Sequence, residues 1–207
     1  MSRKLQDKQE RRLADKRRKE AQRRAARRGN LITVGAAVVV VAAVTALVIA
    51  DRVETLGTDP AAANCTGIET HPDEGNQHVA PGTDVVYGTV PPTSGNHYPD
   101  PADSGFYTGP VPEGALVHSL EHGVVVIWYD PDAPDAVLDD LEEVQTQEPT
   151  ATIVAPYDNL PEPYTFAVTG WRASMMCEQV AQAPIDRFRS RFQGRGPENL
   201  GIPTFEG

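Results

Sequence analysis

The sequence predicts an α+β (or α/β) domain, a small sheet with two to three short helices, preceded by one transmembrane helix. Three observations predict it. A run of 20 residues without a charge, 31–50, follows a basic N-terminal arm. Residues 124–129, Val-Val-Val-Ile-Trp-Tyr, are apolar without alternation, the pattern of a strand covered on both faces. After them, an amphipathic helical stripe, two strand-like runs and a second stripe follow one another, as in a layered domain.

Charge divides the chain. Residues 1–28 hold 13 Lys/Arg and 4 Asp/Glu, whereas the remainder holds 6 basic groups, all Arg, against 25 acidic ones. Such asymmetry points to two environments. The uncharged run lies between them. A helix of its length spans about 30 Å, the thickness of a bilayer's hydrocarbon core. Backbone groups in lipid have to pair within the segment, which makes it a helix. Arg23, Arg24, Arg27 and Arg28 abut its N-terminal end, and Asp51, Arg52 and Glu54 follow it. Basic flanks stay in the cytoplasm, so the chain is expected to cross the cell membrane once, with its C-terminal domain extracytoplasmic. A cleaved signal peptide is the competing reading, with Val48-x-Ala50 as the cleavage site. The apolar run exceeds the usual core of about 7–15 residues and its preceding segment is long, which favours an anchor. Lipid attachment at Cys65 is rejected, because Asn64 precedes it well beyond the apolar run.

The cytoplasmic arm, residues 1–30, is expected to attract anionic lipid through residues 3–28, at about 1 kcal/mol per basic side chain near the surface. No aromatic residue interleaves its charges, so no nucleic acid is expected. Residues 51–64 read as a tether, and residues 65–207 as one extracytoplasmic domain.

The first half of that domain is loop-rich. Pro72, Pro81, Pro91, Pro92, Pro99, Pro101, Pro110 and Pro112 punctuate it, with a short strand expected at 84–90. Residues 112–122 fit either a short helix or the approach to the strand at Val124. Pro134 and Asp135 open a helix of about ten residues, with Val137, Leu138, Leu141 and Val144 on one face. Segments 151–157 and 164–170 look like strands paired around an intervening turn, the second with the period of a half-buried strand. Two short helices are expected to close the domain. The first covers 175–182. The second starts at Pro184, carries Ile185, Phe188 and Phe192 as a stripe, and is capped by Gly194.

Cys65 and Cys177 are the two cysteines, both in the expected outer domain, where thiols oxidise. One pair allows one connectivity, which closes a loop of the size to which chain entropy assigns about 4.7 kcal/mol. The competing reading makes Cys177 a copper ligand, since Met175-Met176-Cys177 groups soft sulfur atoms.

Histidine distribution carries the chemistry. All five histidines lie between positions 71 and 122. His118 and His122 share a face whether the segment is helix or strand. Four imidazoles, His78, His97, His118 and His122, form a candidate site for Zn²⁺ or Cu²⁺, with Glu121 orienting a ligand. His118-x-x-Glu121-His122 also satisfies the inverted zinc-protease pattern, in which the glutamate is the general base and a downstream carboxylate, Glu178 or Glu198, is the third ligand. That reading requires a helix followed by a second ligand-bearing helix, and the β-branched run after Gly123 argues against it. A hydrolase triad of Ser94 with His118 or His122 and Glu121 lacks the nucleophile-elbow pattern. A third possibility is an envelope interaction module in which the histidines bond backbone carbonyls.

Pro91-Pro92-Thr93-Ser94-Gly95-x-His97, then Gly105-Phe106-Tyr107, then His118-x-Leu120-Glu121-His122-Gly123 occur in that order. Together they resemble an uncharacterised bacterial membrane-protein family with a domain of unknown function, over roughly residues 65 to 195. The resemblance implies a membrane anchor and an outer domain. It implies no activity, cofactor or catalytic residue.

Overall fold

The computed structural model describes residues 63–198 and 200–206. The basic arm, the apolar run 31–50 and most of the tether lie outside the described residues. No helix among the described residues is long and apolar enough to cross a membrane.

The elements in chain order are β1 (Glu69–Thr70), β2 (Gly105–Phe106), α1 (Glu113–Glu121), β3 (Val125–Tyr129), α2 (Asp135–Gln147), β4 (Thr152–Pro156), β5 (Phe166–Gly170), β6 (Ala173–Cys177) and α3 (Gln182–Phe192). The six strands form one mixed sheet in the order β1-β6-β5-β3-β4-β2. With the three helices among the described residues, the fold class is α+β.

β3 is the centre of the sheet, as its unbroken apolar run predicts. It pairs parallel with β4 and antiparallel with β5, and all five of its residues are buried. Val125, Ile127 and Tyr129 join Leu141 and Val144 of α2 and Ile185 and Phe188 of α3 in one apolar cluster. Val126 and Trp128 join Leu116 and Leu120 of α1 in another. The period of two thus sends alternate residues to the two faces, with α1 on one and α2 and α3 on the other. The Trp128 indole N–H donates to Thr169 Oγ1 at 2.7 Å, so the largest buried side chain leaves no orphaned donor.

Helices α2 and α3 carry the expected faces. Pro134 precedes α2, whose Val137 and Leu138 pack at the cluster's margin. α2 is longer than the ten residues expected, running on to Gln147. In α3, Phe192 lies beside the buried Ile185 and Phe188. Gly194 follows with φ +67°, a backbone state that suits glycine beyond a helix end.

Four expectations are corrected. Residues 84–90 form no strand. Gly88 N–H donates to the Glu74 carboxylate at 2.7 Å, Tyr87 Oη–H donates to Asn96 O, and Val86 is 90 % exposed, so the valines meet no neighbouring strand. Segments 151–157 and 164–170 are both strands, but they do not pair with each other, because β3 lies between them. Segment 175–182 does not begin as a helix. It begins in β6, which pairs antiparallel with β5 through a two-residue turn at Trp171 and Arg172. Met175 and Cys177 face one apolar cluster and Met176 the other, which is strand alternation. β5 itself is fully buried rather than half-buried, since both sheet faces are covered.

Cys65 and Cys177 form a disulfide. That bond takes Cys177 out of the reach of a copper ion, and Met175 is a core side chain at 3 % exposure.

Candidate metal centre

Three segments build the site. The first is the loop through Pro91-Pro92-Thr93-Ser94-Gly95, in which every residue is buried. Arg172 N–H, in the β5–β6 turn, donates to Thr93 O at 2.8 Å and fixes the loop to the sheet. Gly95 has φ +123°, and a Cβ there would stand 3.0 Å from the Tyr87 ring. Glycine is therefore required twice over, for backbone state and for space. His97 follows, fully buried, with its ring edge toward Trp171.

The second segment carries His78. Val79 N–H donates to His97 O and His97 N–H to Gln77 O, a parallel bridge that sets His78 beside His97. Their ring centroids are 5.1 Å apart, and His78 is exposed.

The third is α1, which settles the state of residues 112–122 as helix, opened by Pro112 and closed at His122. Leu116 and Leu120 anchor it to the sheet, which turns His118, Glu121 and His122 to the opposite side at spacings of three and four, one helical face. At its end Gly123 has φ +94° and its N–H bonds Leu120 O. A Cβ on Gly123 would stand 2.9 Å from Gly194 Cα, so the chain beyond α3 presses against this corner.

The side chains converge. The ligand atoms of His78, His97, His118 and Glu121 all lie within 4.8 Å of one another. Glu121 is 1 % exposed and His118 4 %. His97 Nδ1 meets Gly95 O at 2.8 Å and His118 Nδ1 meets Tyr98 O at 2.7 Å. A carbonyl only accepts, so both Nδ1 atoms carry the proton. In the neutral rings both Nε2 atoms therefore hold a lone pair, turned toward the cluster. Burial pushes the His118 pKa below the ordinary histidine value. The bond to Tyr98 O opposes this, and the neighbouring His122, His97 and His78 add to the lowering. The ring is accordingly neutral at neutral pH.

His97 Nε2 stands 2.9 Å from Glu121 Oε2, yet it makes no hydrogen bond among the described residues, and neither does Glu121 Oε1. A proton on His97 Nε2, making an ion pair, or a cation held between the two groups would satisfy both. On a tetrahedral zinc ion with bonds of about 2.0–2.1 Å, neighbouring ligand atoms are about 3.4 Å apart, between the 2.9 Å of this pair and the 4.8 Å span of the group.

His122 stands outside this group of four. Its Nε2 is 3.0 Å from His118 Nε2, with ring centroids 4.5 Å apart, and its side chain is half-buried. The remaining histidine, His71, bonds Ser174 Oγ instead. The Ser94 hydroxyl of the expected triad is bonded to backbone rather than to a histidine among the described residues. Ser94 Oγ bonds the backbone at Glu74 and Pro72, and Ser119 Oγ donates to Ala102 O. The two downstream carboxylates also lie apart from the cluster of four. Glu178 accepts from Asn64 Nδ2. Glu198 reaches this corner through its backbone N–H, which donates to Glu121 O.

Glu121 as a member of the cluster has a visible signal in the sequence, since it shares a helical face with His118. Trp171 as a wall of the site has none, because only the fold of the β5–β6 turn brings it to His97.

Residues 78–202 match a family described as protein of unknown function (DUF3105). The match covers more than half of the chain and contains all four converging side chains. No curated protein and no solved structure matches.

Proposed function

The chain belongs to this family of unknown function, and we propose that it is a membrane-tethered, extracytoplasmic protein whose domain binds one Zn²⁺ or Cu²⁺ ion through His78, His97, His118 and Glu121. The convergence of four ligand atoms within 4.8 Å, three of them on buried side chains, carries this reading. Three imidazoles and one carboxylate suit either of these ions, with no thiolate in the group. The carbonyls of Gly95 and Tyr98 act as the outer partners that fix ring orientation and tautomer in metal sites. An acidic domain also concentrates cations near its surface.

The outer location is supported by the charge pattern around residues 31–50 and by the disulfide, which persists in oxidising compartments. Glu121, serving as a ligand, is not available as the general base of the inverted zinc-protease pattern. The binding reading therefore stands ahead of hydrolysis.

The test is metal content. The full chain, purified in detergent and loaded with zinc or copper, should retain one ion after dialysis. His118→Ala should retain none while keeping the wild-type circular dichroism spectrum. Failure of the wild type to hold either ion would remove the reading.

A further inference from the structure

The site offers five side chains where zinc uses four. His97, His118 and Glu121 are buried, and His78 completes the group whose ligand atoms lie within 4.8 Å. His122 is additional, yet its Nε2 reaches within 3.0 Å of His118 Nε2. The anchoring also differs among them. His97 and His118 are each held by a backbone carbonyl at Nδ1. The side-chain hydrogen bond that His122 makes among the described residues is to His118 Nε2 itself. It caps the C-terminal end of α1, half-buried, where the helix gives way to Gly123.

We propose that His122 is an exchange ligand: it enters the coordination sphere as the metal leaves and lets the ion pass to an acceptor at the surface. This rests on the metal-binding reading above. Structural zinc sites are four-coordinate, and the ion can expand to five during a reaction. A fifth imidazole beside a resting set of four gives an associative route. His122 Nε2 binds the ion, His78 on the exposed rim is released, and the open rim position takes an incoming ligand. No electron moves; the Nε2 proton of His122 passes to solvent as its Nδ1 takes one up, and one nitrogen–metal bond forms as another is lost. An acceptor that presents imidazole, carboxylate or thiolate groups fits this chemistry. Backbone carbonyls anchor two of the imidazoles, and the more exposed side of the site carries the other two.

The sign of one measurement separates exchange from plain ligation. The full chain is loaded with one equivalent of Zn²⁺, and its transfer to the chromogenic chelator 4-(2-pyridylazo)resorcinol is followed at several chelator concentrations. The wild-type rate should rise with chelator concentration. His122→Ala should transfer roughly tenfold more slowly while its equilibrium affinity stays within roughly threefold. His78→Ala, which removes a resting ligand, should release zinc faster and bind it less tightly. His122→Gln, which keeps a polar side chain at the helix end, should behave as His122→Ala does. Faster release from His122→Ala, or an unchanged rate, overturns the exchange role while leaving the metal site standing. Absence of zinc from every protein, wild type included, removes the metal reading itself and this role with it.

Discussion

His97 Nε2 and Glu121 Oε2 lie 2.9 Å apart, the first on a buried loop and the second on the last turn of α1, with side-chain exposures of 0 % and 1 %. Neither position is set by the other. His97 is placed by the Gly95 turn and by the bridge to the His78 segment. Glu121 is placed by Leu116 and Leu120, which hold α1 on the sheet. Two independently positioned, water-excluded groups therefore meet at one point, and burying such groups without a partner is costly. Packing energy from the apolar clusters holds them there, and a bound cation would return part of that cost.

The turn at Gly95 couples stability to the site. Alanine at position 95 would have to hold φ +123° and displace the Tyr87 ring. Gly95→Ala is expected to lower stability by about 1–3 kcal/mol. Because Gly95 O orients His97, metal affinity should fall roughly tenfold or more. Urea denaturation and metal titration of the variant check both effects.

The disulfide and the metal centre should separate. Replacing Cys65 and Cys177 together with serine removes a crosslink spanning 112 residues. The expected loss is about 2–5 kcal/mol of stability. Metal stoichiometry should be unchanged at a temperature where the variant remains folded, because neither sulfur belongs to the cluster. Loss of copper from a folded variant would restore the sulfur-ligand reading.

Acid should weaken the metal-free protein. Burial holds His118 below its ordinary value of 6.5. Between the lowered folded value and the unfolded one, the unfolded chain binds more protons, so stability rises with pH through that window and is lost as pH falls. Thermal melts of chelator-treated protein should show a lower Tm at about pH 5.5 than at about pH 7.5. His118→Gln should reduce that difference.

The proposed membrane tether predicts a fractionation result. The full chain should stay in the membrane pellet through an alkaline carbonate wash, and a chain lacking residues 1–50 should not. Protease added to intact cells should reach residues beyond 51 and spare the basic arm.

Some of this was legible in the residues and some was not. The run 124–129 announces a central strand because burial on both faces leaves no polar side to alternate with. The stripe of Ile185, Phe188 and Phe192 announces α3 in the same way. Segment 175–182 misleads because its hairpin turn, Trp171-Arg172, lacks the glycine or asparagine that marks such turns. Arg172 takes φ +59° instead. The valines at 85, 86 and 90 have strand propensity, but a strand also needs a neighbour, and a single segment cannot reveal one. In the site, the face shared by His118 and Glu121 follows from helical spacing. The approach of His78 and His97 to that face depends on loop packing around Thr93 and Gly95, which no periodicity encodes.

The most direct test of the central claim is metal counting on a pair that differs by one ligand oxygen. Wild type and Glu121→Gln, both full-length and folded, are loaded with zinc, dialysed, and measured by inductively coupled plasma mass spectrometry. One zinc per wild-type chain, with affinity reduced more than about 100-fold in Glu121→Gln, is the predicted result. Equal zinc in both, or none in the wild type, would contradict it.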